Sequence, residues 1–442
     1  VNTPKGPLSI PNIRRFIGFR IFFNARFYYP VFTVLFLDMG LSLEQFALLN
    51  VIWAATIVLM EVPSGAFADT FGRKRLLVMA SGCMVVEMLI LCFVPLGDAT
   101  VVFYALAVNR VISGVAEALA SGADEALAYD SLKSASLEGQ WGHVLERLMV
   151  LKSIAFCGAM LLGAAVYDAA FLNGVLQALG TGWQLQADTT LRFPLYLNLA
   201  TALLVFGITL GLKEIDTTDE THAVRASLRQ ACGLTWQTGL WILSKPVVWA
   251  LIVIALSFDS IIRLFLTLNS EYYRLIHIPE AALGVMGAAI GIMGLCIPRV
   301  ARMWAERHSV RTNFAWVGVL VLMGLWGLSL AIPWWGIVPA LVIGAAMYLL
   351  NFFLSYYLNQ AVDSKRRATV LSFRGLACNL SYGLLGLLYM GLTHFLRTGF
   401  TDTAVEAEQA VFSATLDWLP GYFIALLFVL FIGVWRPLKK LV

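Results

Sequence analysis

Charge is what this sequence has least of. Only 13% of its 442 residues are Asp, Glu, Lys or Arg, against about 25% in soluble domains. With 60% of its residues hydrophobic, a chain of this size has more apolar surface than one soluble core can hide. The net charge of +4 is too small to suggest a nucleic-acid partner. Cysteine is scarce and badly placed for bonding. Five of the six (83, 92, 157, 296, 378) fall in predicted spans and Cys232 falls in a linker. No CxxC occurs, which argues against disulfides and against a zinc site. HExxH, paired-histidine metal spacing, GxSxG and the P-loop are all missing, so the chain is not expected to be an enzyme and no cofactor or metal is expected. The opening residues "VNTPKGPLSIPNIRRF" carry no signal-cleavage pattern and read as a short polar arm.

What fills the space is apolar sequence in runs of about 20 residues or more, each long enough to cross a bilayer as a helix. They are too long and too uniform for barrel strands. Twelve spans are expected, near 13–38, 43–68, 74–95, 100–128, 142–168, 192–213, 247–275, 280–305, 311–332, 336–361, 367–396 and 415–436. The fold class is therefore an all-α polytopic membrane protein. Its domains are an N-terminal six-helix half (1–213), a linker (214–246) and a C-terminal six-helix half (247–442). The linker is charged and then amphipathic, with Leu228, Cys232 and Trp236 on one side, and is expected along the membrane surface.

Lysine and arginine set the orientation. One side holds Arg14, Arg15, Arg73, Lys74, Arg75, Lys213, Arg299, Arg302, Lys365, Arg366, Lys439 and Lys440 among others. The opposite side holds Arg192, Arg274 and Arg397 with many acids, including Asp38, Glu44, Asp98 and Glu408. Both termini are expected in the cytoplasm. The halves also echo each other. Arg26 and Arg263 lie mid-span, Glu44 and Glu280 open the following spans, and Pro63 and Pro298 sit near the ends of those spans. The offsets are 237, 236 and 235 residues. An internal duplication explains them; chance likeness among apolar helices is the other reading.

The stretch "GAFADTFGRKR" sits between spans 2 and 3. Asp69 ends one helix while Arg73 and Lys74 begin the next, and all three oppose the helix dipoles. Local preference cannot account for them, so they need partners. Gly72 suits a left-handed helix end and Gly65 a close helix approach. This Gly65-x-x-x-Asp69-x-x-Gly72-Arg73-Lys74 pattern resembles the loop signature of the major facilitator superfamily, as do the twelve spans and the six-plus-six division. The resemblance covers nearly the whole chain. It implies a secondary transporter that works by alternating access, usually as a monomer, with this loop latching the two halves. Asp130 is the candidate partner for Arg73. A topology signal alone is the other reading of the loop.

Ionisable groups at mid-depth cost about 2.5–3.5 kcal/mol each on insertion scales. Arg20 is near enough to the inner surface to reach it. Arg26 is too central for that, and Asn24 does not share its face. Asp259 and Arg263 are one turn apart in the favourable order. Either they form a self-contained pair, or Arg263 is a substrate ligand held by Asp259. Arg26 and Arg263 together could clamp a carboxylate or phosphate, an arrangement similar to that of organophosphate antiporters of the superfamily. Lys152 and Arg374 form a second symmetric pair, followed by Asn379. In span 4, Arg110, Gly114, Glu117, Ser121 and Asp124 form one polar stripe. "LAVNRVISGVAEA" there resembles the family's span-4 motif, whose arginine is associated with proton coupling. Glu117 departs from that motif. It either pairs with Arg110 or carries protons with Asp124. Partners for Glu61 and Glu87 are not evident. The glycines of span 8 (284, 287, 291, 294) suggest tight helix packing. Span 5 lacks the Gly-Pro-Gly-Gly element of drug/proton antiporters.

The expected function is proton-coupled movement of a small or medium organic anion across the cell membrane, such as a bacterial inner membrane. Substrate and bilayer are its only expected partners, and a proton gradient is its driving force. The alternatives are export of amphipathic drugs and, from another class, a non-transporting sensor on the same fold.

Overall fold

In hydrocarbon, a backbone without water must bond to itself, and long apolar runs do so as helices. The computed structural model describes residues 6–215, 224–362, 364–399 and 404–433. No strand occurs among the described residues. The helices are α1 (Pro11–Asn24), α2 (Phe32–Asp38), α3 (Leu43–Phe71), α4 (Arg73–Phe93), α5 (Ala99–Ala120), α6 (Ala123–Lys133), α7 (Trp141–Tyr167), α8 (Ala169–Ala178), α9 (Ala187–Thr190) and α10 (Phe193–Leu210). They continue with α11 (Val224–Ser244), α12 (Pro246–Leu275), α13 (Glu280–Arg307), α14 (Val310–Ser329), α15 (Ile337–Ala361), α16 (Ser364–Arg397) and α17 (Ala404–Gly433). Among the described residues, eleven helical stretches are long and apolar enough to cross a membrane. The twelfth expected span, 13–38, is helical in two pieces.

The break in that first span has a local cause. Pro30 lacks an N–H and disfavours helix at the residue before it. α1 accordingly stops at Asn24, and the chain resumes through a 3₁₀ turn at Tyr29–Val31. The freed N–H of Phe27 donates to Asn198 Oδ1 of α10 at 2.6 Å. Span 4 is also divided. Gly122 adopts φ +76°, so the expected single stripe from Arg110 to Asp124 bends between α5 and α6. α8 was not foreseen as a helix. Asp168 caps it by accepting from Phe171 N–H, and Gly180 follows it at φ +73°.

The chain forms two compact units. The first contains Val1–Val31, Thr56–Cys232 and Glu280–Ala288. Within it α4 packs on α5 and α10, and α1 on α6, α7 and α10. Ile13, Phe16 and Ile17 of α1 meet Ala128 and Leu132 of α6 and Val144 and Leu148 of α7 in one apolar cluster. Gly163 is essential to this packing, since a Cβ there would sit 1.8 Å from Phe27 O. The first turns of α13 join this unit, with Gly284 against the Met160 backbone of α7 and Ala281 N–H donating to Asp168. The span-8 glycines thus serve helix packing.

The second unit contains Phe32–Ala55, Gly233–Pro279 and Ala289–Val442. α12 is its centre, packed on α2, α15, α16 and α17, with Phe265, Tyr272 and Tyr273 fully buried. At the acid-rich end of this unit the sparse bases find the acids. Arg274 forks onto Asp38 at 2.8 and 2.7 Å. Arg397 pairs with Glu408 and reaches Glu44, while Glu408 also accepts from Leu43 N–H.

Candidate functional site

In the first unit the polar groups gather around the break in span 1. Arg26 is buried and pairs with Glu87 of α4 at 2.5 Å. Its guanidinium also lies over the Phe23 ring. Asn109 of α5 donates to the Glu87 carbonyl at 2.7 Å. A guanidinium removed from water needs such a carboxylate, because it cannot shed its proton. Asn24, at the end of α1, donates to Arg20 O and shares no bond with Arg26. Arg20, expected to reach the inner surface, instead pairs with Asp124 at 2.5 Å and Glu125 at 2.6 Å.

Glu117 projects from α5 and its side chain is exposed rather than packed in the core. Its electrostatic neighbours are Arg26, Glu87, Arg20 and Lys152. Arg110 is buried on the same helix, two turns back. Lys152 of α7 is half-buried and feels Glu117, Asp124 and Glu125. It makes no hydrogen bond or ion pair among the described residues.

In the second unit, Asp259 and Arg263 form the expected pair along α12. Arg263 Nη1 donates to Asn379 Oδ1 of α16 at 2.7 Å. The ring of Tyr382, one turn further on, lies under the guanidinium at 5.4 Å, and its hydroxyl meets Thr267. Three foreseen residues (Asp259, Arg263, Asn379) are thus brought together, with an aromatic floor that was not foreseen. Arg374 lies on α16 within the electrostatic reach of Asp259, and its Nη1 is buried with no hydrogen-bond partner among the described residues. Arg26 and Arg263 belong to different units.

The charged loop between α3 and α4 is anchored at Gly72, which adopts φ +86°. Arg73 forms an ion pair with Asp130, the partner named from sequence. The backbone N–H groups of Arg73 and Lys74 both donate to the Glu214 carboxylate, at 3.0 and 2.9 Å. This acid caps the α4 N-terminus and offsets the bases that oppose its dipole. The surroundings of Gly65 and the side chains of Asp69 and, in the linker, Leu228 lie outside the described residues. Glu87 and Glu214 were the partners that sequence reasoning missed. For Glu87 a signal existed: a lone carboxylate within an apolar span requires a base.

A family model described as Major Facilitator Superfamily matches residues 16–386. The chain belongs to the major facilitator superfamily. Membership makes it a multi-pass membrane transporter rather than an enzyme. Solved structures of superfamily transporters share its fold at low identity. The nucleoside transporter NupG is 14% identical with a TM-score of 0.69, over 96% of this chain and 99% of that one. A bacterial homolog to the human lysosomal transporter Spinster, inward-facing and occupied, is 16% identical with a TM-score of 0.67, over 98% and 97%. The xylose transporter XylE from E. coli, inward open, is 14% identical with a TM-score of 0.58, over 99% and 96%. No curated protein matches the chain.

Proposed function

We propose that this superfamily member moves a small or medium organic anion bearing a carboxylate or phosphate, with protons as the coupling ion. One observation carries the substrate class. In the α12/α16 cluster, Asp259 pairs with Arg263, while the buried Nη1 of Arg374 has no hydrogen-bond partner among the described residues. The cluster therefore holds one cation in excess, with guanidinium donors suited to an anionic group. Arg374 and Arg263 are the proposed ligands, with Asn379 and Asp259 fixing the Arg263 fork. Lys152 is the matching cation of the first unit. Arg26 is placed as a positioning residue, because Glu87 already neutralises it. Glu117, accessible and near three cations, is the proposed proton carrier. Asp124, already engaged by Arg20, serves it less directly. We further assign both termini to the cytoplasmic side of the cell membrane, on the strength of the lysine and arginine distribution, and a monomeric state, as is usual in the superfamily.

Thermal stabilisation by organic acids, sugar phosphates and lipophilic cations, followed by uptake into proteoliposomes, tests this. An anion that stabilises the parent, but neither Arg374→Ala nor Arg263→Ala, is the expected result. Uptake driven by a pH gradient should then be lost in Glu117→Gln. Stabilisation by lipophilic cations that both arginine variants retain would sink the anion reading. Intact pH-driven uptake in Glu117→Gln would sink the coupling assignment.

A further inference from the structure

A cavity of about 690 Å³ opens on the second unit between α12, α16 and α17, and none of the Arg263, Asp259, Asn379 or Tyr382 side chains lines it. That volume is in the range of small-ligand sites, about 300–1,000 Å³. Leu264, Leu388 and Leu392 give it apolar walls, and none of the described residues lining it is basic. Leu388 and Trp418 are among the exposed large hydrophobic residues, so the cavity faces outward from the bundle. Asp417 stands at its rim beside Trp418 and Tyr422. The Asp417 carboxylate is exposed and forms no hydrogen bond or ion pair among the described residues.

Sequence places that rim in depth. Residues 418–435 form an uninterrupted apolar run of about 27 Å as a helix, close to the thickness of the hydrocarbon core. Asp417 is the residue just outside it, on the acid-rich side, and Trp418 and Tyr422 sit where interfacial aromatics belong. Gly421, one turn inward of Asp417, lines the cavity beneath the carboxylate, and a Cβ there would meet nothing within 4 Å, so the space beside it is open. An anion without a partner, at interface depth, above an apolar groove, complements a positive head on an apolar tail.

We propose that this cavity is a lipid site that takes a phospholipid with a terminal ammonium headgroup. The ammonium group sits on Asp417 between Trp418 and Tyr422, and an acyl chain runs past Gly421 along Leu388 and Leu392. Anionic lipids are disfavoured, since the rim offers a carboxylate and no base.

Native mass spectrometry of the full chain, purified in detergent, reads this directly. The probes are phosphatidylethanolamine, phosphatidylglycerol and dodecylamine. The variants are Asp417→Asn, which removes the charge and keeps the shape, and Gly421→Leu, which puts an apolar side chain into the open space beside the helix, where its Cβ meets nothing within 4 Å. The parent should retain phosphatidylethanolamine over phosphatidylglycerol, and each variant should weaken that binding about tenfold with unchanged thermal stability. Equal retention of phosphatidylethanolamine by parent and both variants overturns the site. Equal binding of both phospholipids overturns the headgroup assignment. Dodecylamine binding that depends on Asp417, with phosphatidylethanolamine binding that does not, overturns the lipid in favour of a free amine.

Discussion

Glu87→Gln is the sharpest perturbation the first unit offers. The Arg26 and Glu87 side chains are 6% and 1% exposed and 2.5 Å apart. At an effective dielectric near 20, the direct attraction at that distance is about 7 kcal/mol, most of it spent against desolvation. Breaking such a pair from one side costs about 3–5 kcal/mol, because the surviving charge stays buried. The two single variants should differ. Glu87→Gln strands a guanidinium that cannot lose its proton. Arg26→Met strands a carboxylate, a type of group that can take one up. Glu87→Gln should therefore be the more destabilising, lowering the apparent Tm by on the order of 5–10 °C. Arg26→Met/Glu87→Leu removes both charges and should return to within about 1 kcal/mol of the parent.

A thermal melt followed with a thiol-reactive dye suits this chain, whose Cys92 and Cys378 are buried and free. Parent and variants are scanned at one rate. A Glu87→Gln melt that overlays the parent refutes the structural role of the pair. A worse Arg26→Met refutes the argument from proton exchange. The double variant then decides a functional point: if it is stable and transports, Arg26 is not a substrate ligand, and if it is stable and inactive, the pair acts in transport.

Gly163→Ala drives a Cβ to 1.8 Å from Phe27 O, whereas Gly158→Ala on the same helix meets nothing within 4 Å. The first should abolish folded yield on size exclusion and the second should not; equal yields would contradict the close approach. Gly72→Ala must hold φ +86° and sits 2.8 Å from the Glu214 carboxylate, so a loss of about 1–2 kcal/mol is expected, and an unchanged melt would mean the loop relaxes freely. Arg274→Lys keeps the charge and loses the fork onto Asp38; both groups are partly exposed, so less than about 1 kcal/mol should go, and a several-fold larger loss would show the pair to be desolvated.

Helix limits were legible where apolar runs have sharp ends. The span expected at 247–275 is α12, and that expected at 336–361 is α15. The break in span 1 was not anticipated, although Pro30 announced it, because the surrounding aromatics kept the hydropathy high. The same holds for α8, where the Asp168 cap and Gly180 terminus are ordinary helix punctuation. Partners were harder. Asp259 and Arg263 meet through helical spacing alone, so sequence could join them. Arg73 and Asp130 were joined through the family resemblance. Arg26 and Glu87 are 61 residues apart, and nothing local to either names the other.

That difference changes which pair matters. Depth and symmetry ranked Arg26 with Arg263 first as anion ligands, since both are central and cannot reach water. Depth, however, reports only the need for compensation, not whether it has been met. Glu87 meets it for Arg26, and Asp259 meets it for Arg263. The second-ranked pair feels carboxylates only at a distance, Lys152 those of Glu117, Asp124 and Glu125 and Arg374 that of Asp259. Among the described residues Lys152 has no hydrogen bond or ion pair, and the buried Nη1 of Arg374 has no hydrogen-bond acceptor. A buried donor without an acceptor costs about 1–3 kcal/mol, and an anionic substrate that supplies one recovers that cost on binding. Arg374 should therefore contribute more to anion affinity than Arg26, despite its weaker claim from sequence.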